Sequence, residues 1–218
     1  MTEDTRKARL LLRLRQAGVT DRRVLTAMES VPRELFLPDL AGDDDVKESR
    51  PILWRQAIGY PEIVAAMVAA LDLGPAMKLL AVDIASGYHL AVLAKLCRRV
   101  YALASTRDSL IEVERAFEVL RLRNTTTRVG AVARGWPEAA PFERILVGDP
   151  GEAPPPALLA QLGQGGIMLM PLGPIDGAQV LCRLRRTADG VIREPIPWLR
   201  FASPLTGPAA EAGDAGAG

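Results

Sequence analysis

The sequence predicts an α/β domain built on a doubly wound, mostly parallel sheet, and three observations carry that expectation. Lys78 to Leu90 reads as a buried strand, a tight turn and a helix. Leu79, Leu80 and Val82 form a short apolar run after Pro75, and Leu90, Leu93, Ala94 and Cys97 recur at helical spacing beyond Ser86-Gly87. From there to Met170, strand-like runs alternate with helical stretches, the pattern of a parallel sheet covered on both faces. A chain of 218 residues, 49% of them apolar, is also long enough for one such domain with a substantial core.

Before that unit, residues 4 to 17 suit a basic amphipathic helix, with Leu10, Leu11 and Leu14 on one side, arginines on the other and Gly18 as its stop. Asp21 can cap a second helix through Val24, Met28 and Val31, and Pro32 begins a turn ending at Leu35-Phe36-Leu37-Pro38. Gly42 to Ser49 is an acidic linker, so residues 1–49 are expected to be a helical extension and its tether. Asp43, Asp44 and Asp45 are consecutive, point apart and make a poor metal site. Arg50 to Pro61 is an irregular loop, after which Pro61 opens an apolar helix to about Leu73.

Beyond the central unit, Arg99 to Leu103 reads as a second strand, Asp108 to Leu122 as a helix and Thr126 to Val129 as a third strand. Phe142 to Val147 reads as a fourth strand, Pro155 to Leu162 as a helix and Gly166 to Met170 as a fifth strand. Val180 to Arg185 and Val191 to Glu194, joined through Thr187-Ala188-Asp189-Gly190, predict a C-terminal antiparallel hairpin. The domain is expected to run over residues 50–207, with a disordered Ala/Gly-rich tail at 208–218.

With 27 basic against 26 acidic residues, overall charge points to neither nucleic acid nor an anionic membrane. Cys97 and Cys182 read as core fillers rather than a disulfide or metal pair. The first residues hold no apolar signal core, and no apolar run reaches the roughly 18 residues of a membrane span, so a cytoplasmic protein is expected.

In open parallel sheets a ligand sits past the carboxyl end of the first strand, where glycines let the backbone come close. Here that turn keeps only Gly87, with Asp83 and Ala85 in the other glycine places. No Cys/His metal spacing, phosphate-binding Lys-Ser/Thr loop or Gly-x-Ser-x-Gly elbow occurs.

Several stretches carry a resemblance. Gly18-Val19-Thr20-Asp21, Val31-Pro32-Arg33-Glu34, Phe36-Leu37-Pro38, Ser86-Gly87-Tyr88, Gly135-Trp136-Pro137-Glu138 and Pro204-Leu205-Thr206-Gly207 occur in the order found in the protein-L-isoaspartate O-methyltransferases. The chain resembles that family from about Arg9 to Gly207. The resemblance implies the class I methyltransferase fold, S-adenosylmethionine as cofactor, and the abnormal carboxylate of aged asparagine or aspartate residues as methyl acceptor. Of the cofactor-binding positions, it implies Asp83, Ser86, Gly87 and Gly130.

The departures fall on the chemistry. The family's Gly-Gln-Gly-Gln-Thr-Ile-Ser-Gln-Pro loop is Leu53-Trp54-Arg55-Gln56-Ala57-Ile58-Gly59-Tyr60-Pro61, so both hydroxyl positions are lost, at Ala57 and Gly59. The residue at Gly59 lies beside the acceptor carboxylate in the family, and glycine has no donor to offer it. No catalytic side chain is therefore assigned. The family's ribose-binding glutamate is Ala104, its adenine-facing aspartate is Ala131, and an acidic residue of the first strand is Ala81. Hydrogen bonds to charged groups contribute roughly 1.5 to 3 kcal/mol each, so losing two predicts cofactor binding weakened on the order of a hundredfold to ten-thousandfold.

The resulting expectation is a homologue that keeps the fold, transfers methyl groups poorly or not at all, and retains a protein- or peptide-binding role. The alternative is a working isoaspartyl methyltransferase with a rearranged pocket, since methyl transfer needs mainly proximity and alignment. In a third reading, Arg55, Asp83, His89 and Asp149 form a new polar site. The plainer form of that arrangement has Arg55 and Asp83 pair to plug the vacated space, His89 on the helix surface, and Trp54 and Tyr60 filling the adenosine volume.

Overall fold

The computed structural model describes residues 3–36, 53, 57, 59–83 and 87–202. Its strands are β1 (Lys78–Val82), β2 (Arg99–Ala104), β3 (Thr125–Val129), β4 (Phe142–Val147), β5 (Leu162–Leu172), β6 (Gln179–Thr187) and β7 (Gly190–Phe201). They form one sheet in the order β3-β2-β1-β4-β5-β6-β7. The first five run parallel, while β6 and β7 add the antiparallel hairpin that the turn residues predict. Connections leave β1 toward β2 on one side, and β4 lies on the other. That arrangement opens a crevice past the carboxyl ends of β1 and β4.

The helices are α1 (Glu3–Gln16), α2 (Arg22–Glu29), α3 (Pro61–Leu71), α4 (Gly87–Ala94), α5 (Asp108–Val119) and α6 (Pro156–Gln161). Successive residues of a strand point to opposite faces, and here both faces are covered. Leu79 and Ala81 join the larger core beneath α1 to α5, while Leu80 and Val82 join a second core with Phe142, Ile145 and Leu158. This is why β1 reads as a continuous apolar run.

Several boundaries depart from the sequence expectation for identifiable reasons. Helix α5 ends at Val119 rather than Leu122, because Arg121 turns left-handed at φ 53. The N–H groups of Leu122 and Arg121 then donate to the carbonyls of Phe117 and Glu118, closing the helix. Gly18 does the same for α1 at φ 85, as its position predicts. Helix α3 stops at Leu71, where Asp72 is left-handed at φ 48. Strand β7 runs on past Glu194 through Pro195 and Pro197 to Phe201. Prolines are tolerated there because β7 is an edge strand and its register with β6 shifts between Val180 and Cys182.

Cys97 and Cys182 are buried free thiols, and burial pushes the Cys97 thiol up to about 12. Among the described residues no helix is long and apolar enough to cross a membrane. The linker at 42–49 and the tail at 208–218 lie outside the described residues.

Candidate functional site

The carboxyl ends of three parallel strands and the start of β4's exit loop are stitched together by main-chain bonds. Asp83 follows β1 and its N–H donates to the Leu103 carbonyl at 3.0 Å. The Gly130 N–H donates to Ala104 and the Gly148 N–H to Val82, both at 2.9 Å. Of the cofactor positions, Asp83, Gly87 and Gly130 thus come to one end of the sheet, and Ser86 lies outside the described residues. Asp149, at the exit of β4, is at the same end. Asp83 sits at φ 56, the left-handed conformation that a motif glycine would adopt freely. Aspartate is among the few other residues that tolerate it.

Gly87 opens α4, and a Cβ there would stand 2.7 Å from two ring carbons of Phe36. The N-terminal extension therefore lays its Phe36 ring on the start of this helix. Tyr88 and Phe117 flank that ring, with centroids 6.3 and 6.5 Å away. Sequence reasoning assigned Gly87 to the cofactor alone; its smallness also admits Phe36.

The two lost hydroxyl positions themselves are folded into the protein. Ala57 is fully buried in the larger core, its N–H donating to Leu53 at 2.9 Å, and the Tyr60 N–H donates back to Ala57 at 3.0 Å. Gly59 is buried within that turn. Tyr60, expected to fill the adenosine volume, carries the Arg33 guanidinium over its ring, 5.9 Å from the centroid. Trp54 and Arg55 lie outside the described residues.

His89 does not lie on the helix surface. All eight residues of α4 are buried, and the His89 Nδ1 has no hydrogen-bond partner. Burial holds its imidazole down to about 4, so it is neutral near pH 7. The Tyr88 hydroxyl is also buried and unpartnered, and burial raises its pKa, so it stays protonated. Three charged groups that bear on it come from other elements: Arg33 and Glu34 of the N-terminal extension, and Glu62 of α3. Glu62 on α3 receives Arg13 Nε at 2.7 Å, and Glu34 pairs with Arg6 at 4.0 Å. Sequence reasoning missed this wall; the Val31-Pro32-Arg33-Glu34 stretch was the available signal.

At the end of β2, Ala104 is 1% exposed, and beyond it Thr106 accepts the Ser109 N–H to begin α5. Ala131 is exposed beside a 3-10 turn over Val132–Arg134. No carboxylate stands at either position. Among the described residues no group of three or more His, Cys, Asp or Glu could hold a metal ion.

Comparison with known proteins gives a consistent result. The family model described as protein-L-isoaspartate(D-aspartate) O-methyltransferase (PCMT) matches residues 5–202. A protein-L-isoaspartate O-methyltransferase of Rhodospirillum centenum is 46% identical over 214 residues, 97% of each chain. One of Paramagnetospirillum magneticum is 44% identical over 200 residues, 91% of this chain and 94% of its own. In fold, the chain matches a solved protein-L-isoaspartate O-methyltransferase at TM-score 0.71 and 20% identity, covering 90% of this chain and 65% of that one. It also matches a Plasmodium falciparum structure of that description, in complex with S-adenosyl-L-homocysteine, at TM-score 0.69 and 20% identity. That match covers 87% of this chain and 93% of the other.

Proposed function

Because the chain belongs to the protein-L-isoaspartate(D-aspartate) O-methyltransferase family, we propose that it transfers a methyl group from S-adenosylmethionine to the isoaspartyl carboxylate of damaged polypeptides, through a rearranged pocket. The turn at Asp83 carries this reading. Two glycines of the family's loop are gone, yet the main chain at Asp83 takes a left-handed path at φ 56, one a glycine adopts freely, and its N–H donates to Leu103.

The residues fit this cofactor in their backbone and less well in their side chains. Asp83, Ser86, Gly87 and Gly130 would border it, while Ala104 and Ala131 offer no carboxylate to ribose or adenine. When bound, S-adenosylmethionine would supply an electrophilic methyl, which a carboxylate oxygen takes as the carbon–sulfur bond breaks and a neutral thioether leaves. No proton has to move, so the protein's task is alignment. Buried, neutral His89 and protonated Tyr88 suit that role, since neither is poised as a general base.

A second reading is a family member that has lost methyl transfer and keeps a polypeptide-binding role. The sealed Ala104 favours it, being 1% exposed where the family places its ribose acceptor. Incorporation of labelled methyl into an isoaspartyl peptide separates the two. Base-labile methyl ester on that peptide, absent from the aspartyl control, supports transfer; no turnover above background at saturating cofactor leaves the second reading.

A further inference from the structure

We infer that Arg33 anchors the carboxylate of the methyl acceptor. This rests on the isoaspartyl reading above and names the group that holds the substrate.

Arg33 opens a 3-10 turn of the N-terminal extension, Arg33–Leu35, directly after Pro32. Its guanidinium lies over the Tyr60 ring, and its Nε is buried without a hydrogen-bond partner. Among the described residues two carboxylates occur in this neighbourhood, and each pairs with a different arginine. Glu34 pairs with Arg6 at 4.0 Å, and one oxygen of Glu62 is held by Arg13 at 2.7 Å. Arg33 is thus a half-buried cation with an aromatic contact and, among the described residues, no paired anion. A charge withdrawn from water without a partner is costly, and a ligand carboxylate would supply what is missing. The planar fork of a guanidinium also suits a carboxylate, which it can grip through two parallel N–H bonds.

Two further observations point the same way. The Tyr60 ring under Arg33 closes the turn that begins at Ala57, and Ala57 and Gly59 provide no side-chain donor there. The Tyr88 hydroxyl, fully buried and unpartnered, lies near enough to feel the charges of Arg33, Glu62 and Glu34. An acceptor carboxylate at this wall would meet Arg33, while of the two glutamates beside it Glu34 pairs with Arg6 and Glu62 pairs with Arg13 through Oε1, its Oε2 being buried without a hydrogen-bond partner.

The test measures binding apart from catalysis. A fluorescent isoaspartyl peptide and its carboxyl methyl ester are titrated with wild type, Arg33→Met and Arg33→Lys, with thermal melts run to establish folding. The wild type should prefer the free carboxylate by at least tenfold, Arg33→Met should lose that preference, and Arg33→Lys should keep part of it. If Arg33→Met does not fold, Arg33→Lys decides: its point charge cannot form the two-bond grip, so the preference should fall at least threefold. An unchanged preference in the folded variants, or none in the wild type, overturns the anchor. Methyl incorporation run in parallel keeps the two claims apart. An active wild type whose KM for peptide is unmoved by Arg33→Met removes the anchor and leaves the activity. An inactive wild type whose carboxylate preference still depends on Arg33 does the reverse.

Discussion

The ring of Phe36 rests on the α-carbon of Gly87, so close that a methyl group there would stand 2.7 Å from two ring carbons. This contact ties the N-terminal extension to the helix that begins at the crevice. Gly87→Ala should therefore destabilise the protein by about 1–3 kcal/mol, the usual range for overpacking. Phe36→Ala should cost about 2 kcal/mol, less than a fully buried phenylalanine, because the ring is partly exposed. Combined, the two should cost less than their sum, since removing the ring makes room for the methyl. Denaturant unfolding of the four proteins checks this; strict additivity would contradict the contact.

Arg144, on β4, is buried and caps the carboxyl end of α3. Its guanidinium donates to the carbonyls of Leu71, Asp72 and Glu143, while the Asp72 carboxylate stands 3.8 Å away and is mostly exposed. The carbonyl bonds should dominate the ion pair. Arg144→Met should cost about 2–4 kcal/mol, because it strands buried acceptors at a helix end. Asp72→Asn should cost no more than about 0.5 kcal/mol, as for other exposed pairs. Comparable losses in the two variants, measured by urea midpoint at equal m-value, would reverse that ranking.

His89 is the only histidine of the chain, which makes its titration readable. Burial lowers its folded-state pKa from 6.5 to about 4. The unfolded chain therefore binds the extra proton first as pH falls. The His89 contribution is complete above about pH 6.5 and declines by about 1.4 kcal/mol per pH unit toward pH 4. Wild type should lose stability between pH 7.5 and 5 relative to His89→Gln, in which no group titrates there. Parallel pH profiles for the two proteins would show that the imidazole is solvated.

The sheet was readable because its signals are local. Alternating apolar runs, Gly18 and the turn Thr187 to Gly190 each act through neighbouring residues. What escaped depended on tolerance or on distance. Arg121 and Asp72 end their helices in a left-handed conformation that sequence associates with glycine, and β7 passes through two prolines because, among the described residues, it is an edge strand. At the site, the aspartate itself does not announce the positive φ of residue 83; only its place opposite a family glycine does. Phe36 on Gly87 and Arg33 over Tyr60 join segments tens of residues apart, which no periodicity encodes. The lost hydroxyls at Ala57 and Gly59 were legible from the family's loop; the burial of Ala57 in the core was not.

Calorimetric titration with S-adenosylmethionine and its demethylated product asks whether the crevice past Asp83 receives the methyl donor, as the proposed activity requires. Both should bind saturably with Kd tighter than about 100 μM, about 5–6 kcal/mol of binding free energy. Absence of heat from either ligand at millimolar concentration, with the protein folded, would contradict it.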